Sequence, residues 1–338
     1  GTTFGENTVF DTLSYMVPPG GTTTQRGRDR GVMAGGMVYP TAAGNLIEYI
    51  RISSGGQTKD FGDLTAARAL GGPASSSTKA VMMAGLDGPD RKNIIDSITI
   101  ATTGNATDFG DTSEALGYVA GLSNQTRGVT GGGNGPSSPS GTNQMEYITI
   151  ASTGNATDFG ALNMAATAGI SGAASPTRGL FAGGNGPGPS WSFDHNTIDY
   201  ITIASTGDAT DFGDLTRKDF AYGGACSSTT RAIFGGGYTP SPTPATETNT
   251  IDYVTIASTG DATDFGDLTL AGWYNGATSN GTRGIFTGRL TTSPTSGDPT
   301  IDAVIIATTG NAVDWGDMTG SSVRRAATLM SDSHGGLS

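Results

Sequence analysis

The chain has 338 residues, 30 acidic against 18 basic, for a net charge of −12 with only 14% of positions charged. That charge repels phosphate backbones, so nucleic acid is not an expected partner. No apolar run of the length that predicts a membrane span occurs, and the single cysteine, Cys226, excludes an internal disulfide and a cysteine-based zinc cluster.

In chain order, residues 1–29 are the least repetitive. They carry TVFDTLSYMVPP and the link GGTTTQRGRDR, and are expected to form an N-terminal arm or attachment segment, with neither a signal peptide nor a membrane insertion in view. From residue 30 to 338 two segment types alternate. The first is a basic residue leading into a short strand that ends in glycine: DRGVMAGG (29–36), TKAVMMAG (78–85), TRGVTGGG (126–133), TRGLFAGG (177–184), TRAIFGGG (230–237) and TRGIFTG (282–288). The second is an apolar run, a small-residue turn and an aromatic run, as in TIDYITIASTGDATDFGDLT (197–216) and its near copy at 250–269.

The aligned aromatics of the second type are Phe61, Phe109, Phe159, Phe212, Phe265 and Trp315, giving spacings of 48, 50, 53, 53 and 50 residues. A period of this size suits one four-stranded propeller blade per repeat. The fold class expected is therefore all-β, a six-bladed β-propeller whose blades carry strands A to D. Stretches such as ARALGG (67–72) and DFAYGG (219–224) are read as strand A, and GGACSSTTR as an A-to-B connection. A lone blade cannot cover its apolar faces, which explains why the chain repeats itself and closes. Closure is expected from the C-terminal VRRAATLM, within 322–330, serving as strand A of the first blade, with VFDTLSYMV as the alternative.

Chemistry-bearing residues are sparse. The two histidines, His195 and His334, read as loop residues in solvent; Asp208, Asp211 and Asp214 are spaced by three, which throws carboxylates to opposite faces of a strand; no G-x-S-x-G elbow occurs. No catalytic residue, metal or cofactor is expected, and the C-to-D connection ASTGDATDF reads as an independent hairpin turn. The basic residues Arg30, Lys79, Arg127, Arg178, Arg231 and Arg283 recur in register with Glu48, Asp96, Glu146, Asp199, Asp252 and Asp302. Structural ion pairs between the two sets are expected, since a group present in every blade does what every blade needs.

The B-to-C loops differ between repeats while the C-to-D turns are almost constant, so one face of the disc is variable and the other uniform. Binding residues favour loops on a rigid scaffold. The candidates on the variable face are Tyr39, Trp191, Phe193, His195 and Tyr238.

The order of features resembles the kelch family. Glycine pairs stand at Gly35-Gly36, Gly132-Gly133, Gly183-Gly184 and Gly236-Gly237, tyrosines at Tyr49, Tyr147, Tyr200 and Tyr253, and an aromatic follows in strand D. The sequence departs from that pattern at Gly85 and Gly288, which stand single, at Ser97 and Ala303, which replace Tyr, and in having Trp only at Trp315. The Gly/Ser/Thr-rich wording of the repeats is similar to propeller modules in structural and tail proteins of marine bacteriophages. That resemblance implies a non-enzymatic virion structural protein on the particle surface, a receptor-binding or decorating module of a tail fibre present in several copies. Its partners would be other virion proteins, through the arm or the constant face, and a host-surface glycan or protein. The alternatives are a cellular kelch-type interaction module and a degenerate propeller enzyme.

Overall fold

A computed structural model of the chain describes residues 29–38, 42–137, 141–164, 168–186, 195–217, 222–239, 246–292, 295–319 and 324–337. Of the expected arm at 1–29, residues 1–28 lie outside them. Six four-stranded antiparallel blades, each ordered A-B-C-D, form a six-bladed β-propeller. In blade 1, strands B, C and D are Arg30–Ala34, Leu46–Arg51 and Lys59–Asp63. Strands A to D are Gly72–Ser75, Lys79–Met83, Asp90–Thr99 and Thr107–Leu116 in blade 2, and Ala120–Ser123, Arg127–Gly131, Gln144–Thr149 and Thr157–Ala161 in blade 3. Blade 4 has Ser171–Ala174, Arg178–Ala182, Thr197–Thr202 and Thr210–Asp214. Blade 5 has Gly224–Ser227, Arg231–Gly235, Thr250–Thr255 and Thr263–Asp267, and blade 6 has Gly276–Ser279, Arg283–Thr287, Thr300–Ile305 and Val313–Asp317.

The ring is closed by the C-terminal segment. Thr328–Ser331 is strand A of blade 1 and pairs antiparallel with its strand B, Gly31 opposite Ser331 and Ala34 opposite Thr328. The core lies between blades: Leu180, Ala182, Ile198 and Phe212 of blade 4 pack on Ala232, Phe234, Val254 and Ile256 of blade 5, all buried. Burial of both faces of a sheet is what makes strand B read as a continuous apolar run.

Strand A is not where the sequence places it. ARALGG is largely a connection, residues 219–221 of DFAYGG lie outside the described residues, and strand A is GPAS, AGLS, SGAA, GACS, GATS or TLMS. Six innermost strands converge on one axis, and their backbones come closest at glycines. A Cβ on Gly121 would overlap the Pro73 carbonyl oxygen, and one on Gly172 the Gly121 carbonyl oxygen.

The constant C-to-D turn is an inter-blade clasp as well as a hairpin. Gly104 N donates to Phe61 O at 2.7 Å and Ala106 N to Asp63 O at 2.8 Å, so the turn of blade 2 pairs with the open edge of strand D in blade 1. The same two bonds recur from Gly154 and Ala156 to blade 2, Gly207 and Ala209 to blade 3, Gly260 and Ala262 to blade 4, Gly310 and Ala312 to blade 5, and Gly56 and Thr58 to blade 6. The turn's Asn or Asp adds a side-chain acceptor, as when Asn105 Oδ1 takes the Asp63 N–H at 3.1 Å and Asp208 Oδ1 the Ala161 N–H at 3.0 Å. Outer edges that would otherwise template aggregation are thereby capped.

The expected ion pairs between the two repeated sets are replaced by other partners. Arg127 lies over the Tyr147 ring at 4.2 Å and donates to Ile203 O of the next blade at 2.9 Å. Arg30, Arg178 and Arg231 do the same with Tyr49 and Ile100, Tyr200 and Ile256, and Tyr253 and Ile306. Arg283 uses Trp315 and the Ile52 and Ser53 carbonyls, and Lys79 sits over Phe109. A guanidinium keeps a flat face for a ring and an edge for a carbonyl, so each of the five arginines staples two blades, while Lys79 contacts the ring of its own blade.

The six carboxylates work one layer deeper and are all buried. Each holds the end of strand D of the preceding blade or the segment after it: Asp96 accepts from Thr65 N and Oγ1, Glu146 from Ser113 N, Asp199 from Met164 N, Asp252 from Thr216, Asp302 from Thr269 and Glu48 from Thr319 Oγ1. Four of them pair with arginines outside the repeated set: Arg68 with Asp96 at 2.9 Å, Arg289 with Asp302 at 2.8 Å, Arg217 with Asp252 at 3.9 Å and Arg324 with Glu48.

Candidate functional site: the aromatic channel mouth

The strand A entry on the variable face has an unusual backbone. Two positions before each strand A stands a residue with left-handed φ: Leu70 (57°), Tyr118 (63°), Gly169 (71°), Tyr222 (59°), Tyr274 (62°) and Ala326 (58°). Non-glycine residues pay roughly 1–2 kcal/mol for this conformation. A closed ring of backbone hydrogen bonds around the axis offsets it: Gly169 N donates to Tyr118 O (2.9 Å), Tyr222 N to Gly169 O (2.8 Å), Asn275 N to Tyr222 O (3.2 Å), Ala326 N to Tyr274 O (3.1 Å), Leu70 N to Ala326 O (3.2 Å) and Val119 N to Leu70 O (3.3 Å).

On this ring the side chains of blades 3, 5 and 6 form one aromatic cluster. Tyr118 meets Tyr222 edge-on at 5.6 Å between centroids, Tyr222 meets Tyr274 at 4.9 Å, Trp273 stacks on Tyr274 at 4.3 Å, and Tyr238 stacks on Trp273 at 4.7 Å. Arg325 stands 5.9 Å from the Tyr274 ring centre, and Asn185 Nδ2 donates to the Tyr222 hydroxyl at 3.3 Å. Burial, then the neighbouring Tyr118 and Tyr222, push the Tyr274 hydroxyl well above its ordinary value, so it stays protonated. The Trp273 indole N–H is buried with no hydrogen-bond partner among the described residues. Tyr, Trp and Arg together are the side chains that dominate contact energies at recognition surfaces.

The cavity beneath, lined by Leu70, Tyr118, Gly169, Tyr222, Tyr274 and Ala326, is about 90 Å³. Pockets for organic ligands run to roughly 300 Å³ or more. The channel is therefore too small for an organic ligand of that size.

The opposite mouth is closed. Serine hydroxyls at the end of strand A link neighbouring blades: Ser75 to Ser331 O, Ser123 to Ser75 O, Ser227 to Ala174 O, Ser279 to Ser227 O and Ser331 to Ser279 O. Blade 4 carries Ala174 at this position and leaves the Ser123 carbonyl without a serine donor; the C-terminal turn packs there, where a Cβ on Gly336 would overlap the Ser123 carbonyl oxygen. His334, read from sequence as a solvent histidine, is half-buried in this plug. Its Nδ1 accepts the Gly336 N–H at 3.1 Å, which leaves the proton on Nε2, 3.1 Å from Ser75 O and 3.2 Å from Ser123 Oγ. An imidazole so protonated cannot take the Ser123 proton, so the Ser–His contact is a plug contact. Burial lowers the His334 pKa to about 4. Burial likewise pushes the Cys226 thiol up, leaving it inert.

Of the sequence candidates, Tyr238 joins the cluster. His195 is half-buried just before strand C of blade 4, its N–H bonded to Gly184 O at 3.0 Å and its imidazole held by burial below the ordinary pKa. Tyr39, Trp191 and Phe193 lie outside the described residues. Tyr118, Tyr222, Trp273 and Tyr274 were not anticipated, because they sit in D-to-A connections rather than in B-to-C loops. Their signal is positional: LGYV, FAYG and GWYN place an aromatic two residues before a small-residue strand. No group of three or more His, Cys, Asp or Glu with metal-site geometry occurs among the described residues.

No protein-family model matches the chain, and no curated protein matches it. Among solved structures, that of YjhT matches with a TM-score of 0.63 at 10% identity, covering 80% of this chain and 95% of that chain. At that identity the likeness is one of fold, and it carries no activity across.

Proposed function

We propose that this propeller is a non-enzymatic recognition module, a receptor-binding or decorating element on the surface of a bacteriophage particle, which meets its partner through the variable face. The observation that supports the reading best is the division of labour between the faces. On the constant face the C-to-D turns are consumed in clasps and the channel is plugged, whereas the variable face gathers Tyr118, Tyr222, Tyr238, Trp273 and Tyr274 at one mouth. Aromatic rings with hydroxyl edges suit the faces of sugars and the side chains of surface proteins, and repeated display on a symmetric particle multiplies weak contacts.

The test is adsorption. Beads carrying many copies of the wild type bind host cells, and Tyr222→Ala and Trp273→Ala copies bind less while still folding. If wild-type beads bind no host cell and particles lacking the module adsorb normally, the receptor-binding role fails and decoration remains.

A further inference from the structure

Blade 1 breaks the repeat on the constant face. Strand register places Arg51 opposite Arg30, and Lys59 beside them opposite Tyr49, all on one side of the sheet. In the other blades the residue opposite the stapling cation is Thr99, Thr149, Thr202, Thr255 or Ile305, and the counterpart of Lys59 is Thr107, Thr157, Thr210, Thr263 or Val313. Like charges directly opposite on a sheet are destabilising, and five blades show that the architecture needs neither added cation. Arg51 and Lys59 are exposed and no hydrogen bond or ion pair among the described residues engages either side chain.

The three cations line a cleft of about 310 Å³ with Tyr49, Ser54 and Gln57, and no carboxylate lines it. The cleft is therefore positive on a chain of net charge −12. Arg30 is fixed by its bond to Ile100 O and by the Tyr49 ring, so one cation is preorganised while Arg51 and Lys59 are free to close on a ligand. Serine and glutamine at the rim supply neutral donors.

We propose that this cleft is an oxyanion-binding site that takes a sulfate, carboxylate or phosphate group, free in solution or carried on a saccharide. Three cations around one compact anion give charge-assisted hydrogen bonds, while the net negative charge of the chain disfavours an extended polyanion. The site lies on the opposite face from the aromatic mouth, so it stands or falls independently of the recognition role proposed above.

The test compares wild type with Arg51→Thr/Lys59→Thr, which installs the residues found in four other blades and is expected to fold. Titration with sodium sulfate and sodium phosphate, against sodium chloride at matched ionic strength, raises the wild-type melting temperature saturably. In the double variant that increment is lost or the affinity falls by about tenfold or more. Sulfated, carboxylated and neutral forms of one oligosaccharide separate a carried group from a free one: binding of the charged forms alone assigns a saccharide source, and binding of inorganic anions alone a free one. Amide shifts on titration of the wild type are expected to centre on residues 51–59, which reads the site without any variant. No saturable response to any of these anions in wild type, an equal response in the double variant, or shifts centred elsewhere overturns the proposal.

Discussion

Gly169 and Tyr222 share one space. A Cβ on Gly169 would stand 2.6 Å from Tyr222 Cε1, so the ring of blade 5 lies across the entry to blade 4 and reaches Tyr118 of blade 3. The one glycine in the ring of left-handed residues is what makes the aromatic cluster continuous. Gly169→Ala is expected to lose about 1–2 kcal/mol, from the positive φ and the displaced ring together. Urea unfolding with near-ultraviolet circular dichroism checks this, and an unchanged aromatic signal would contradict it.

His334 gives the plug a pH dependence. Its folded pKa of about 4 lies below the ordinary 6.5, so the fold holds the neutral ring. The contribution is fully present above pH 6.5 and is lost as pH falls from there toward 4, by at most about 3 kcal/mol before the plug lets go instead. Hydrogen exchange at 332–337 should rise between pH 7.5 and 5 while the strand B amides stay protected. His334→Gln should flatten that profile, and a flat wild-type profile would refute the assignment.

The buried carboxylates separate into two kinds. Burial raises the Asp199 pKa above its ordinary value, so its stability contribution falls as pH rises through the folded pKa. Asp199→Asn keeps an acceptor for the Met164 N–H, 2.9 Å away, and should match or exceed wild-type stability at pH 7. Asp302→Asn removes the shorter of the two ion pairs of the buried Arg289 and leaves Asp298 at 3.2 Å, at a cost of about 1.5–3 kcal/mol. Melting of the two variants across pH 4 to 8 decides the matter; equal destabilisation of both would contradict this division.

The stapling arginines are expected to couple to rings. Arg231→Ala should cost about 1–2 kcal/mol through the Tyr253 ring at 4.3 Å and the Ile306 carbonyl at 3.0 Å. Arg231→Lys should cost less, since a lysine keeps the ring contact, as Lys79 does over Phe109 in blade 2. Double-mutant cycles are expected to show coupling between Arg231 and Tyr253 and none between Arg231 and Asp252. The reverse pattern would restore the ion-pair reading.

The blade count and the C-terminal closure were legible because apolar strands B and C recur with a period near 50 residues. Strand A was misplaced because its sequences, such as GPAS and SGAA, carry no apolar alternation; their smallness answers to convergence on the axis, which no local pattern encodes. The clasp role of ASTGDATDF was hidden for a similar reason, since its partner is the strand D edge of the preceding blade. At the site, Tyr238 could be named from its loop. Tyr222 could not, because what makes it part of a cluster is the absent side chain at Gly169.

If recognition belongs to the variable face, the orientation in which the module is displayed decides whether it binds. The Cys226 thiol is buried and inert, so a cysteine introduced at an exposed position becomes the point of coupling. Beads coupled through Thr103→Cys on the constant face leave the aromatic mouth outward, and beads coupled through Ser137→Cys turn it toward the bead. The first are expected to bind host cells and the second are not. Binding that is equal in the two orientations, or stronger through Ser137→Cys, would contradict it.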